Sequence, residues 1–201
     1  MSAFLGPIHF WLYNKIQLQE GLIREIAGKA EEKSWMTDAA SFVNPEDRPL
    51  EKLIDTGNIH GWLQERIHDC EGRYASLVTK LVQAEPGRLT EIKQAVFDFG
   101  KKQAMPTGTT ASDAYKLLED SLLNGMPCDH VNQVVTREEN HVVWNRAQNL
   151  HAGYWETSGG DPEHYDLLAD AFISGLLSET NLSYDRTAPD QFEIRITGEP
   201  A

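Results

Sequence analysis

Histidine and tryptophan keep close company in this chain. His9-Phe10-Trp11 and His60-Gly61-Trp62 share one spacing, Trp144 follows His141 by three residues, and Trp155 follows His151 by four. Aromatic faces with a few imidazoles among them suit a small planar or anionic ligand, because the rings give apolar contact and the ring nitrogens give hydrogen bonds. The same imidazoles ligate divalent metals. His9, Trp11, His60, Trp62, His151 and Trp155 are therefore the candidate lining of a ligand pocket, and His9, His60 and His151 the candidate ligands of a metal within it. The plainer account is that both residue types favour half-buried positions, so that each pair is simply part of the core edge.

Two further constellations are weaker. Glu65-x-x-His68 and Glu138-x-x-His141 reproduce the doubled Glu-x-x-His spacing of carboxylate-bridged di-metal bundles, which requires both pairs on helices and facing inward. At 100° per residue, Glu65 and His68 fall on the polar side of their helix, and Glu138 and His141 fall at an expected hairpin, so the bundle is rejected. Cys128, with His130 two residues on, is the candidate nucleophile of a hydrolytic reading. A thiolate needs a nearby imidazole or a positive dipole, and the adjacent Asp129 opposes it. Cys70 sits on an inward row and reads as an inert buried thiol.

Composition narrows the partners. The formal net charge is −13; residues 151–201 hold ten Asp/Glu against Arg186 and Arg195, a net of −8, leaving −5 for the rest. Such a surface repels phosphate backbones and anionic lipid, so neither nucleic acid nor a membrane is an expected partner. Two cysteines are too few for a secreted disulfide scaffold, and the apolar stretch near the N-terminus is interrupted by Pro7, His9, Asn14 and Lys15, unlike a signal peptide or a membrane span. The expected location is the cytoplasm.

The elements that must position these residues change period partway along. Pro7 suits a first helical turn, and Ile8, Trp11, Leu12, Ile16, Leu22, Ile23 and Ile26 follow at helical spacing. Asn58 caps the clearest helix, whose apolar row is Leu63, Ile67, Cys70, Tyr74, Leu77 and Leu81, a narrow stripe ending at Pro86-Gly87. Leu89, Ile92, Val96 and Phe99 make another helical face with Gly100 loosening its end, and Ser112 is placed to cap a helix burying Tyr115, Leu118 and Leu122. After Met126, Val131–Thr136 and His141–Arg146 flank a polar four-residue loop, as a hairpin does. Asp161-Pro162 opens a helix that buries Tyr165, Leu168, Phe172 and Leu176, with Gly175 on the same face, where it would let the helix approach a sheet. Phe192, Ile194 and Ile196 alternate with Glu193, Arg195 and Thr197, the pattern of a half-buried strand. The expected class is α+β: a helical region over 1–125 and an antiparallel ββαβ unit over 126–201, either separate or one composite domain.

From Phe97 to Ile196 this order of features resembles the α+β region of the L-2-amino-thiazoline-4-carboxylate hydrolase-like and vinyl-reductase-type ligand-binding families: a helix, the valine-rich hairpin 131–146, a crossing helix after Asp161, and a closing strand Phe-Glu-Ile-Arg-Ile at 192–196. The resemblance implies a small organic ligand, hydrolysed in some members. It departs just after the hairpin, where Leu150-His151 stands at the place expected to hold a cysteine, so no catalytic residue carries over. Three readings follow. The leading one is a cytoplasmic protein that binds a small molecule or a divalent metal at the seam of the two parts. The second makes that pocket hydrolytic, and the third is a non-catalytic interaction module that pairs as a homodimer through the stripe of the 58–84 helix.

Overall fold

The structure, a computed structural model, describes residues 4–197. Four long helices come first: α1 (Pro7–Glu32), α2 (Ile59–Ala84), α3 (Arg88–Lys101) and α4 (Ala111–Ser121). Then follow β1 (Asn132–Arg137), β2 (His141–Arg146), the short α5 (Ala152–Thr157), α6 (Glu163–Leu177), β3 (Leu182–Ala188) and β4 (Gln191–Ile196). The class is α+β, with the four strands in one antiparallel sheet ordered β1-β2-β4-β3. Single turns of 3-10 helix at Ala39–Phe42 and Leu50–Lys52 interrupt the aperiodic link from α1 to α2.

Capping chemistry sets the helix ends. Asn58 Oδ1 accepts the Gly61 N–H at 3.2 Å at the start of α2. Thr110, not Ser112, caps α4, its hydroxyl oxygen accepting the Asp113 N–H at 3.1 Å; Ser112 is already inside the helix, where it accepts a bond from Arg137 Nε instead. The apolar row of α2 is buried throughout, within this chain. It is also wider than a stripe: Glu71, Ala75, Val78 and Thr79 are buried beside it, because α2 is packed by α1, α3, α5 and the Ala39–Phe42 turn at once. The surface assigned to a partner subunit is thus covered from inside.

The C-terminal unit has one strand more than expected, ββααββ in place of ββαβ. The strand missed is β3, whose inward positions are Leu182, Tyr184 and Arg186. Alternation is hidden there because Arg186 faces inward, bonded to Asp170 of α6 at 2.7 Å, and the Tyr184 hydroxyl donates to the same carboxylate at 3.0 Å. Pro189-Asp190 makes the turn into β4. The inner face of the sheet carries Val142, Trp144, Phe192 and Ile194, with the rings of Trp144 and Phe192 stacked at 5.6 Å, under α4 and α6. The outer face carries a polar ladder: His141 on Glu193 (3.3 Å), Glu193 on Arg195 (3.1 Å) and Arg195 on Asp185 (3.4 Å).

Helix α6 joins the two parts, and glycine makes the joint. A Cβ on Gly175 would overlap the Phe97 carbonyl and lie 2.8 Å from the Lys101 nitrogen; one on Gly100 would overlap the Phe172 carbonyl. The two glycines thus let α6 cross α3 backbone to backbone. Gly175 serves a helix–helix approach, not the helix–sheet approach expected, and Gly100, the last residue but one of α3, stands at the helix end as expected while making this close approach. A single cluster of buried side chains runs from α1 to β4. Gly175→Ala is expected to destabilise the fold by about 2–3 kcal/mol in urea unfolding, since the clash is with backbone that cannot rotate away. Gly72→Ala, where a Cβ meets open space in the middle of α2, is expected to stabilise by roughly 0.5–1 kcal/mol through helix propensity.

Candidate functional site

Polar residues at core positions mark the site. On α1, Gln19 falls three residues after Ile16 and four before Ile23, on the buried row; on α2, Glu71 falls four after Ile67 and three before Tyr74. Glu71 is 1% exposed. A buried carboxylate needs a donor at each oxygen, and it has them: Gln19 Nε2 donates to Oε1 at 2.9 Å, and His151 Nδ1 lies 3.0 Å from Oε2. The pair is satisfied when Nδ1 carries the proton and the carboxylate oxygen accepts it. His151 Nε2 meets the Asn124 side-chain amide at 3.2 Å. That amide serves either state of the ring, presenting its oxygen to a protonated Nε2 or its NH2 to a bare one. Tyr165 of α6 lies flat on the imidazole, ring centroids 3.4 Å apart and planes 12° from parallel. Residues from α1, α2, α6, the α4–β1 link and the approach to α5 thus converge on one imidazole.

This buried group forms the back of a cleft of about 470 Å³. Its walls are Gln64, Ile67 and His68 of α2, Gly125 and Asp129 of the α4–β1 link, and Leu150, Gly153, Tyr154 and Thr157 around α5. Gly125 has φ +69°, and a Cβ there would overlap Leu150 and Asp129, so the bend that opens the cleft requires glycine. Asp129 Oδ2 holds that bend by accepting the Met126 N–H at 2.7 Å. At the rim, His68 Nδ1 meets the Tyr154 hydroxyl in a short hydrogen bond, and its Nε2 meets the Gln64 amide at 3.0 Å. Among the described residues no lysine or arginine lines the cleft.

The six residues singled out from the His/Trp pattern occupy several places. His9 and His60 do meet, Nε2 to Nε2 at 3.4 Å, at the N-terminal ends of α1 and α2. His9 Nδ1 accepts the Gly6 N–H at 2.9 Å, so the neutral ring carries its proton on Nε2 and presents no lone pair there to a metal. Trp62 packs near Tyr13, ring centroids 6.2 Å apart. Trp11 turns to α4, its indole N–H donating to Asp120 Oδ1 at 2.8 Å. His151 is in the buried network, bonded to Glu71, which stands on α2 at a rise of about 16 Å from His60. Trp155 is fully buried, edge-on to Tyr74. Among the described residues no group of three or more His, Cys, Asp or Glu side chains is placed to hold a metal ion. Glu138 lies in the β1–β2 turn and His141 on β2. Cys128 is exposed and outside the cleft lining; Cys70 is buried, and burial pushes its thiol well above the usual range.

Glu71, Gln19, Asn124 and Tyr165 went unremarked as site residues in the sequence, although two carried a signal: Gln19 and Glu71 interrupt apolar rows at inward positions. Asn124 and Tyr165 reach the site only through tertiary packing. No protein-family model matches the chain, and neither a curated protein nor a solved structure matches it. Among the described residues no helix is long and apolar enough to cross a membrane.

Removing one partner of a buried pair strands the other, whereas replacing both does not. His151→Ala is therefore expected to cost about 3 kcal/mol in urea unfolding, and the double change Glu71→Met/His151→Leu clearly less than the two single changes summed. A second experiment concerns Lys15, 4% exposed, whose Nζ lies 4.0 Å from the Trp11 ring centroid. Burial lowers its pKa to about 8, with Glu119 and Asp120 pulling the other way. The unfolded chain keeps this proton up to about pH 10.5, the folded chain only to about pH 8, so stability from this group rises with pH between those limits. Lys15→Met should melt above the wild type at pH 7 and lose that advantage by about pH 10 in paired thermal unfolding curves.

Proposed function

We propose that the protein binds a small organic molecule in the cleft between α2 and the Gly125–Thr157 segment, at the seam of its helical and sheet-bearing parts. The observation that carries this is the pairing of size with preorganisation. The cleft's 470 Å³ is in the range of small-molecule sites, and its back wall is a carboxylate–imidazole pair held on every polar atom by the protein. At the rim the Tyr154 phenol, with one bond to His68, keeps capacity for a further hydrogen bond to a ligand. Apolar contact comes from Ile67 and Leu150.

Binding is favoured over hydrolysis on two grounds. A general base needs a free ring nitrogen facing the substrate, and His151 Nε2 is occupied by Asn124. The thiol at Cys128 stands outside the cleft. Gly153 supplies the test. It lines the cleft, and a Cβ on it meets open space, so Gly153→Leu should fill the mouth without disturbing α5. A fragment library screened by protein-observed NMR is expected to shift His68, Tyr154 and Gly125 signals in the wild type and not in Gly153→Leu. A library that shifts none of them, or shifts them equally in both proteins, overturns the proposal.

A further inference from the structure

A second cavity, of about 310 Å³, is lined by none of the cleft residues. It lies where α1 and α2 meet the link between them, with Tyr13 and Glu20 from α1, Trp62 and Arg66 from α2, and Glu46 and Arg48 from the link. Its charges are committed with one exception. Glu20 is held by Arg73, whose Nη1 donates to it at 2.9 Å. Glu46 is held by Arg48, Nε to Oε1 at 2.8 Å, and that bond keeps its carboxyl near 2. Arg66 has no carboxylate partner among the described residues. Its guanidinium carbon lies 5.4 Å from the Trp62 ring centroid, and its Nε is buried with no hydrogen-bond acceptor. Buried N–H donors are usually satisfied, and none of the described residues supplies an acceptor to this one, so it is open to an acceptor from a ligand.

The geometry points to a binding site for a small planar monocarboxylate, its two oxygens on the Arg66 guanidinium and its apolar body against Tyr13, Trp62, Ile16 and Leu53. A guanidinium presents parallel N–H donors that match a carboxylate edge. The Tyr13 and Trp62 rings in an otherwise polar lining favour an organic acid over inorganic phosphate. The flanking Glu20 and Glu46 select against a second negative charge, because a dianion would face two carboxylates across one cavity. This site is independent of the cleft described above, and either can fail without the other.

Titration of the full chain with benzoate, benzamide and inorganic phosphate tests it, followed through the Trp62 indole NMR signal, assigned with Trp62→Phe. Benzoate at millimolar concentration is expected to shift that signal saturably, with benzamide and phosphate weaker by about tenfold or more. Arg66→Gln should weaken benzoate by a similar factor and Arg66→Lys by less, with thermal unfolding of both variants close to the wild type. No saturable shift with benzoate, equal binding of benzamide, tighter binding of phosphate, or benzoate binding that survives Arg66→Gln would each overturn the assignment.

Discussion

A carboxylate cannot be left dry without partners, and most of the arrangement around Glu71 follows from that constraint. Gln19 fixes where α1 lies along α2. His151 fixes where the chain turns after β2, and through its other nitrogen and its ring face it draws in Asn124 and Tyr165. One residue on along α1 and two along α2, the same helix pair repeats the solution with an ion pair, Arg73 bridging Glu20, Asp69 and the Phe42 carbonyl. Burial alone would lower the basicity of that guanidinium; its bonds to Glu20 and Asp69 raise it on balance. The α1–α2 interface is thus registered by polar contacts inside an apolar seam, and apolar packing, which tolerates sliding, is not left to set the alignment.

Helix α2 spaces the molecule's chemistry along its length. Near its start stand His60 and Trp62, a further turn on Arg66 and His68, and at its middle Glu71 and Arg73. Residues 66 and 68 face different ways because successive residues turn by about 100°, so one helix serves the Tyr13–Trp62 cavity on one side and the His68–Tyr154 cleft on another. Charge is distributed likewise: among the described residues the cleft is lined by carboxylates and by no lysine or arginine, whereas the second cavity is lined by a guanidinium without a carboxylate partner.

The helices were legible in the sequence because their rows are long, and 26 residues of 3.6-fold pattern survive a few polar intrusions. The hairpin was legible from its valines. Strand β3 was not, since an inward arginine with its own carboxylate partners erases the alternation that marks a strand. Helix α5, at six residues, is too short to show a period. The site followed the same logic. His9 and His60 share a spacing relative to Trp because both open helices that lie side by side, and they meet. His151 and Trp155 share that company for a local reason, a short helix that buries both. Residues whose role depends on where another segment arrives, Asn124 and Tyr165 above all, carry no mark in their own neighbourhood.

The sheet order has a consequence for how the molecule is assembled. Its outer ladders, β1 with β2 and β3 with β4, are each closed by a short turn, so each hairpin forms from neighbours in the chain. The central ladder is different: it pairs His141 with Arg195 across everything that lies between the hairpins, α5 and α6 included. Closing that ladder therefore carries a loop-closure entropy that neither hairpin does. Topologically, the β2–β4 seam joins two hairpins, each local in the chain, into one sheet.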